Sequence, residues 1–207
     1  MRAVSLVEAR LWIVALACFA LFFVLGSVVS PRPPTKIDLA GAALRGELSG
    51  LAAFFTLLGR TWPLVAIAAA AALVAVFARA SVVPVAVILL SQVVSQGVVA
   101  AVKPFFHRMR PDHWLLYREK DFSFPSGHST TAIVFFVALA IVSWRSPLPR
   151  PLATTFASLA AVCAIGIPWS RLALGAHFVT DVTGGLVFGA GWLCVLAALA
   201  MRAGAIA

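Results

Sequence analysis

The side chains of this 207-residue sequence whose types and spacing could do chemistry fall into three short groups. The first is Lys103-Pro-Phe-Phe-His-Arg-Met-Arg110-Pro111. Pro104 has no backbone donor and disfavours helix at the residue before it, so a helix is expected to end near Lys103, while Pro111 should hold Arg110 extended. Two cations fixed this way can converge on one anion, Arg110 through bidentate hydrogen bonds to phosphate oxygens and Lys103 as a point charge. They could equally be anchors at a membrane edge.

The second group is Pro125-Ser126-Gly127-His128. Ser126 is an N-cap candidate, Gly127 lets the backbone approach a ligand closely, and a helix N-terminus offers N–H groups to an anion. His128 then lies beside that anion; the plainer reading is a capped helix with an interfacial histidine. The third group runs from Ser170 and Arg171 to His177 and Asp181. Four residues apart, His177 and Asp181 would share one face of a helix. There the carboxylate can accept the Nδ1 proton and leave Nε2 free to attack. A metal on His177 and Asp181 would need His128 or His107 as a third ligand, and the three nearby cations oppose it.

The composition says what must position these groups. The chain is 62% hydrophobic and 11% charged, with a mean hydropathy of +1.03. That is more apolar surface than a soluble core absorbs, so an all-α, polytopic membrane helical bundle is expected. The net charge of +9 comes from residues scattered between apolar runs. Such scatter fits snorkelling and anionic headgroups, and argues against nucleic acid as a partner. Cys18, Cys163 and Cys194 all fall in apolar runs, with no spacing that suggests a disulfide framework or a zinc site.

A spanning helix needs about 17–25 mostly apolar residues. Six spans are expected: Leu11–Val29, Trp62–Ala78, Val82–Val102, Gly127–Ser143, Leu152–Pro168 and Phe178–Met201. Leu11–Val29 is longer than the core of a signal peptide and reads as an uncleaved first span. The shorter apolar stretch Leu48–Gly59 suits an interfacial or re-entrant helix. Residues 1–207 read as one transmembrane domain, with a motif-bearing core at about 82–201. This layout puts Lys103–Ser126 and Trp169–His177 on one side of the membrane, opposite the N-terminus. Basic residues are too evenly divided to orient the chain. With a cytoplasmic N-terminus in the cell membrane, the site faces outward.

In this order, K-x6-R-P, P-S-G-H and S-R-x5-H-x3-D resemble the signature of the type 2 phosphatidic acid phosphatase family, whose site is similar to that of vanadium-dependent haloperoxidases. Every specified position is present, from Lys103 to Asp181. The resemblance implies a phosphohydrolase that needs no metal or other cofactor. His177 would take the phosphoryl group, Asp181 orient it, and His128 protonate the leaving alkoxide. Lys103, Arg110 and Arg171, with Ser126 and the Gly127 N–H, would cradle the phosphate. Three fixed cations there supply charge stabilisation that other enzymes take from magnesium.

Other readings fit less well. A haloperoxidase would share the cradle, but such enzymes resemble soluble proteins. A small-solute transporter would be expected to show internal repeats and charges near mid-membrane. A catalytically silent lipid-binding protein would not need both histidines. The expected substrate is a membrane-resident lipid phosphate. An isoprenyl diphosphate is slightly favoured over a phospholipid monophosphate, because His107, Arg108, Arg118 and Lys120 add positive charge to the same loop. Those extra cations could instead merely touch anionic headgroups.

Overall fold

The structure, a computed structural model, describes residues 5–112, 115–116 and 119–203. Arg118 therefore lies outside the described residues. Every regular element among them is a helix. Helix α1 spans Leu6–Val29 and opens on Ser5, whose hydroxyl accepts from the Glu8 N–H. The short α2, Lys36–Gly41, opens on a reciprocal cap between Thr35 and Asp38. Then come α3 (Ser49–Leu58), α4 (Thr61–Phe77), α5 (Val83–Phe106), α6 (Gly127–Trp144), α7 (Arg150–Ala173) and α8 (Val179–Arg202). Residues Ala132–Val137 of α6 are wound as a π-helix.

Five of these, α1 and α5 to α8, are long and apolar enough to cross a membrane. The short helix expected at Leu48–Gly59 is α3, and it joins α4 at 63°, so the bent pair forms a sixth span or a re-entrant loop. Helix α4 alone has 17 residues, about 26 Å at 1.5 Å per residue, which is short for a hydrocarbon core of about 30 Å.

Two prolines behave differently from expectation. Helix α5 does not stop at Lys103 but runs through Pro104 to Phe106, and ends where His107 turns left-handed and donates its N–H to Lys103 O at 3.0 Å. Helix α7 likewise passes Pro168 and ends at Ala173. Each proline forfeits one backbone bond, a loss that membrane helices tolerate when neighbours re-satisfy the freed carbonyl. The connection after α7 therefore shrinks, and Ser170 and Arg171 become part of its last turn rather than of a loop.

Helices α1 and α8 run antiparallel, with Glu8 of the one 3.9 Å from Arg202 of the other. At their opposite ends an aromatic cluster forms. Phe22 stacks on Phe124 at 5.4 Å and meets Phe106 edge-on at 5.6 Å, with Phe188 alongside. Gly26 and Gly184 make this possible, since a Cβ at Gly26 would overlap the rings of Phe106 and Phe124 and one at Gly184 the ring of Phe124. Phe124 directly precedes Pro125-Ser126-Gly127-His128, so this packing pins the entry to α6. A second cluster, which includes Leu64, Ile88, Phe135, Phe136 and Ile167, fills the space among α4, α5, α6 and α7.

Candidate active site

All eight residues singled out from the sequence lie at one end of the bundle. Lys103 comes from the last turn of α5, Arg110 from the following loop, and Gly127 and His128 from the first turn of α6. Arg171 comes from the last turn of α7, and His177 and Asp181 from the entry to α8. Lys103, Gly127, His128 and His177 line one cavity of about 600 Å³, which continues along α5 to Gln96 and Gln92 and along α4 past Trp62. Ser126 does not line it. Its buried hydroxyl caps α6, accepting from the Ser129 N–H at 3.4 Å and the Ser129 hydroxyl at 3.0 Å.

His177 and Asp181 do not share a helical face as expected. Phe178 is the N-cap of α8, so His177 lies ahead of the helix and Asp181 in its first turn. The carboxylate reaches back to accept the Phe178 N–H at 2.8 Å, and this cap folds His177 towards it. Nδ1 of His177 is 3.5 Å from Asp181 Oδ2, with the Ser123 hydroxyl beside both. Ser123 donates to Asp181 Oδ2 and stands 3.4 Å from Nδ1. On the other side of the ring, Arg110 is 3.0 Å from Nε2. A guanidinium only donates, so Nε2 carries the lone pair and the ring proton sits on Nδ1. That is the tautomer a nucleophilic Nε2 requires. Burial above all, then Arg110, Arg171, Lys103 and His128, hold the His177 pKa well below its ordinary value.

The three cations are each buried, and the chain's own carboxylates hold them. Asp121 pairs with Lys103 and, at 2.5 Å, with Arg110. Glu119 lies 2.8 Å from Arg110 and 2.7 Å from Arg171. Burial raises the pKa of Asp121, but the hydrogen bond and charge of Lys103 and the charge of Arg110 outweigh it and hold the carboxyl below its usual range. The buried Nε of Arg171 has no hydrogen-bond partner, a donor that an oxyanion in this cradle would satisfy. Among the described residues, no group of three or more His, Cys, Asp or Glu side chains could hold a metal ion.

Helix α3, for which sequence reasoning had no role, packs against α7 and over the site. Its Thr56 hydroxyl accepts from Arg171, and its carbonyl lies 3.2 Å from His128 Nε2. A carbonyl only accepts, so Nε2 of His128 bears a proton. Gly59 is where α3 turns into α4, and a Cβ there would stand 2.6 Å from His128 Cδ2.

Arg108 requires a correction. Expected to add charge for a second phosphate, it is 3% exposed and fully engaged. It donates to Asp181 Oδ1 at 2.6 Å, Thr180 Oγ1 at 2.5 Å and Asp38 Oδ2 at 2.8 Å. Asp38 is itself buried. Burial raises its pKa, but hydrogen bonds from Thr180 and Thr35 outweigh that and keep it ionised. His107 is also engaged, its Nδ1 2.6 Å from Pro104 O and its ring 4.1 Å from that of Phe122. Sequence reasoning missed Asp38, Ser123, Thr56, Glu119 and Asp121. The Thr35-x-x-Asp38 capping pattern was the one visible signal among them.

Comparison with known proteins places the chain in a family. The PAP2 superfamily model matches residues 81–204. A lipid A 1-phosphatase of Rhizobium etli is 38% identical over 122 residues, covering 54% of this chain and 48% of the relative. Phosphatidylglycerophosphatase B of Bacillus subtilis is 39% identical over 90 residues, covering 42% of this chain and 44% of the relative. The chain thus spans about half the length of these curated relatives. The crystal structure of a transmembrane PAP2 type phosphatidylglycerolphosphate phosphatase from Bacillus subtilis superposes with a TM-score of 0.74 at 26% identity, over 91% of this chain and 96% of that one. A family region covering more than half of an all-helical, multi-pass membrane chain identifies it: the protein belongs to the PAP2 superfamily.

Proposed function

We propose that the chain is an integral-membrane lipid phosphate phosphohydrolase that works without a metal, through a phosphohistidine at His177. The observation that carries this reading is the His177 Nε2 lone pair facing Arg110 at 3.0 Å, with the buried Lys103 and Arg171 close enough for their charges to act on the ring. A phosphate dianion entering the cavity displaces Glu119 and Asp121 and takes their place on Lys103, Arg110 and Arg171. Nε2 attacks phosphorus in line, the P–O ester bond breaks, and His128, protonated on both ring nitrogens beside the bound dianion, gives its Nε2 proton to the leaving alkoxide. The neutral His128 ring then takes a proton from water, which attacks phosphorus and breaks the P–N bond. Phosphate leaves and both histidines regain their starting states. The cations stabilise charge on the equatorial oxygens in both steps.

The shape of the cavity supports a lipid. From Lys103 back to Gln92 it follows α5 for about 16 Å at 1.5 Å per residue, so an ester reaches the cradle while its tail stays in the bilayer. With Arg108 committed to Asp181 and Asp38, the charge argument for a diphosphate loses its best-placed member, and a lipid monophosphate becomes the favoured class. We further place the protein in the cell membrane with six crossings, α3 and α4 together forming one, and the site on the extracytoplasmic face.

On purified enzyme, kcat/KM for a lipid monophosphate equals or exceeds that for the diphosphate of the same tail. His177→Ala abolishes turnover of all substrates. His128→Ala loses roughly 10²–10⁴-fold on lipid esters but far less on an aryl phosphate, whose leaving group needs no proton. Equal losses on both substrates in His128→Ala contradict its role as the acid. The acid limb of kcat/KM, read with a substrate that does not titrate in this window, reports protonation of His177 in the free enzyme. Since that pKa is depressed, the neutral nucleophile persists as pH falls and the limb lies below about 6.5. A limb above that value contradicts the assignment. In a background lacking the three native cysteines, Asp112→Cys reacts with an impermeant thiol reagent in intact cells and Pro147→Cys does not. The reverse pattern overturns the orientation.

A further inference from the structure

The first third of the chain lies outside the matched family region, yet it places a carboxylate two side chains away from the nucleophile's partner. Asp38 Oδ2 accepts from Arg108 NH2 at 2.8 Å, while its Oδ1 accepts from the Thr180 N–H at 2.9 Å and the Thr180 hydroxyl at 2.8 Å. Arg108 is further enclosed by the Phe178 ring, 4.8 Å below the guanidinium, and its carbonyl accepts the Ser123 N–H at 2.8 Å. One arginine thus touches Asp38, the first turn of α8 and the loop that carries Ser123.

The division of oxygens at Asp181 gives this contact a purpose. An arginine facing one carboxylate prefers a bidentate fork that takes both oxygens. Here Asp38 occupies NH2, so only NH1 reaches Asp181, and only at Oδ1. Asp181 Oδ2 is left to the Ser123 hydroxyl and the Phe178 N–H, the two bonds that orient His177. We infer that Asp38 is a positioning residue for phosphoryl transfer: by keeping Arg108 monodentate on Asp181, it reserves Oδ2 for the Ser123–His177 relay. Helix α2 is built to hold it there. Thr35 fixes the carboxylate through its N–H at 3.0 Å and its hydroxyl at 2.9 Å. Gly41 lets α2 lie against α8, because a Cβ there would overlap Val179 Cγ2.

This inference rests on the phosphohistidine reading and concerns only what orients the nucleophile. Its test is a split between kcat and KM. Asp38→Asn keeps the shape and some hydrogen bonding but removes the charge that competes for Arg108. With active sites counted from the product burst on an aryl phosphate, kcat per site should fall roughly tenfold or more, the scale expected when a reacting group is misplaced. KM and the inhibition constant of inorganic phosphate, which depend on Lys103, Arg110 and Arg171, should stay within about twofold under the same argument. Asp38→Glu should recover part of kcat. Gly41→Val, which pushes α2 off Val179 while leaving the carboxylate intact, should show the same signature and serves if the Asp38 variants do not fold. An unchanged kcat per site with only a lower yield of folded protein overturns the inference, as does a loss of inorganic phosphate affinity as large as the loss of kcat. Failure of the underlying mechanism shows separately, as turnover remaining in His177→Ala.

Discussion

A cation buried at the end of an apolar bundle must have an anion beside it. Breaking a buried pair by removing one partner costs roughly 3–5 kcal/mol, and this site buries Lys103, Arg110 and Arg171 together. The ends of α5 and α7 and the loop after α5 can converge only because Glu119 and Asp121 come in from that same loop to neutralise them. In the proposed mechanism, the arrangement that makes the cradle tolerable at rest also fits it to a phosphate dianion, which brings the same charge and more acceptor oxygens. Binding on that reading is an exchange of carboxylate for phosphate, with no bare cluster of like charges on either side.

The same constraint explains how the two parts of the chain divide the work. In the proposed mechanism, residues of α5 to α8 and of their connecting loops supply the groups that touch the phosphoryl group. The earlier helices hold those groups in place. Thr56 satisfies both Arg171 and His128, Gly59 leaves room for the imidazole, and Asp38 divides the hydrogen bonds of Arg108. In each of these contacts the partner from the earlier helices lies outside the motifs. Each depends on α2 and α3 folding back over the site end of the bundle, which the bend of 63° between α3 and α4 permits.

Much of this was legible in the sequence, and the boundary has a physical basis. Hydropathy marks the apolar helices because each must cover a bilayer-sized length with apolar side chains. The charged residues at their ends stand out because charge is scarce in such a chain. Proline read as a full stop was misleading at Pro104 and Pro168, where α5 and α7 continue for most of a turn or more. His177 and Asp181 do come together, but through an N-terminal cap rather than the helical face that their spacing suggested. Arg108 was misjudged because a loop arginine among cations looks like one more anion ligand. Its partner Asp38 lies 70 residues earlier, and no local pattern announces a pairing that distant. Ser123, Glu119 and Asp121 stayed hidden for the same reason, since what they do is set by tertiary placement.

The account stands on a covalent intermediate at one nitrogen. The most direct measurement is to quench His128→Ala enzyme in alkali during turnover of an aryl phosphate, then map the phosphate by peptide mass spectrometry. Without its acid–base partner the second step slows, so a phosphoryl group should accumulate, stable to alkali and labile to acid, on the peptide containing His177 and at its Nε2. Phosphate found on another residue, or steady turnover with no phosphorylated protein at any time, contradicts the account.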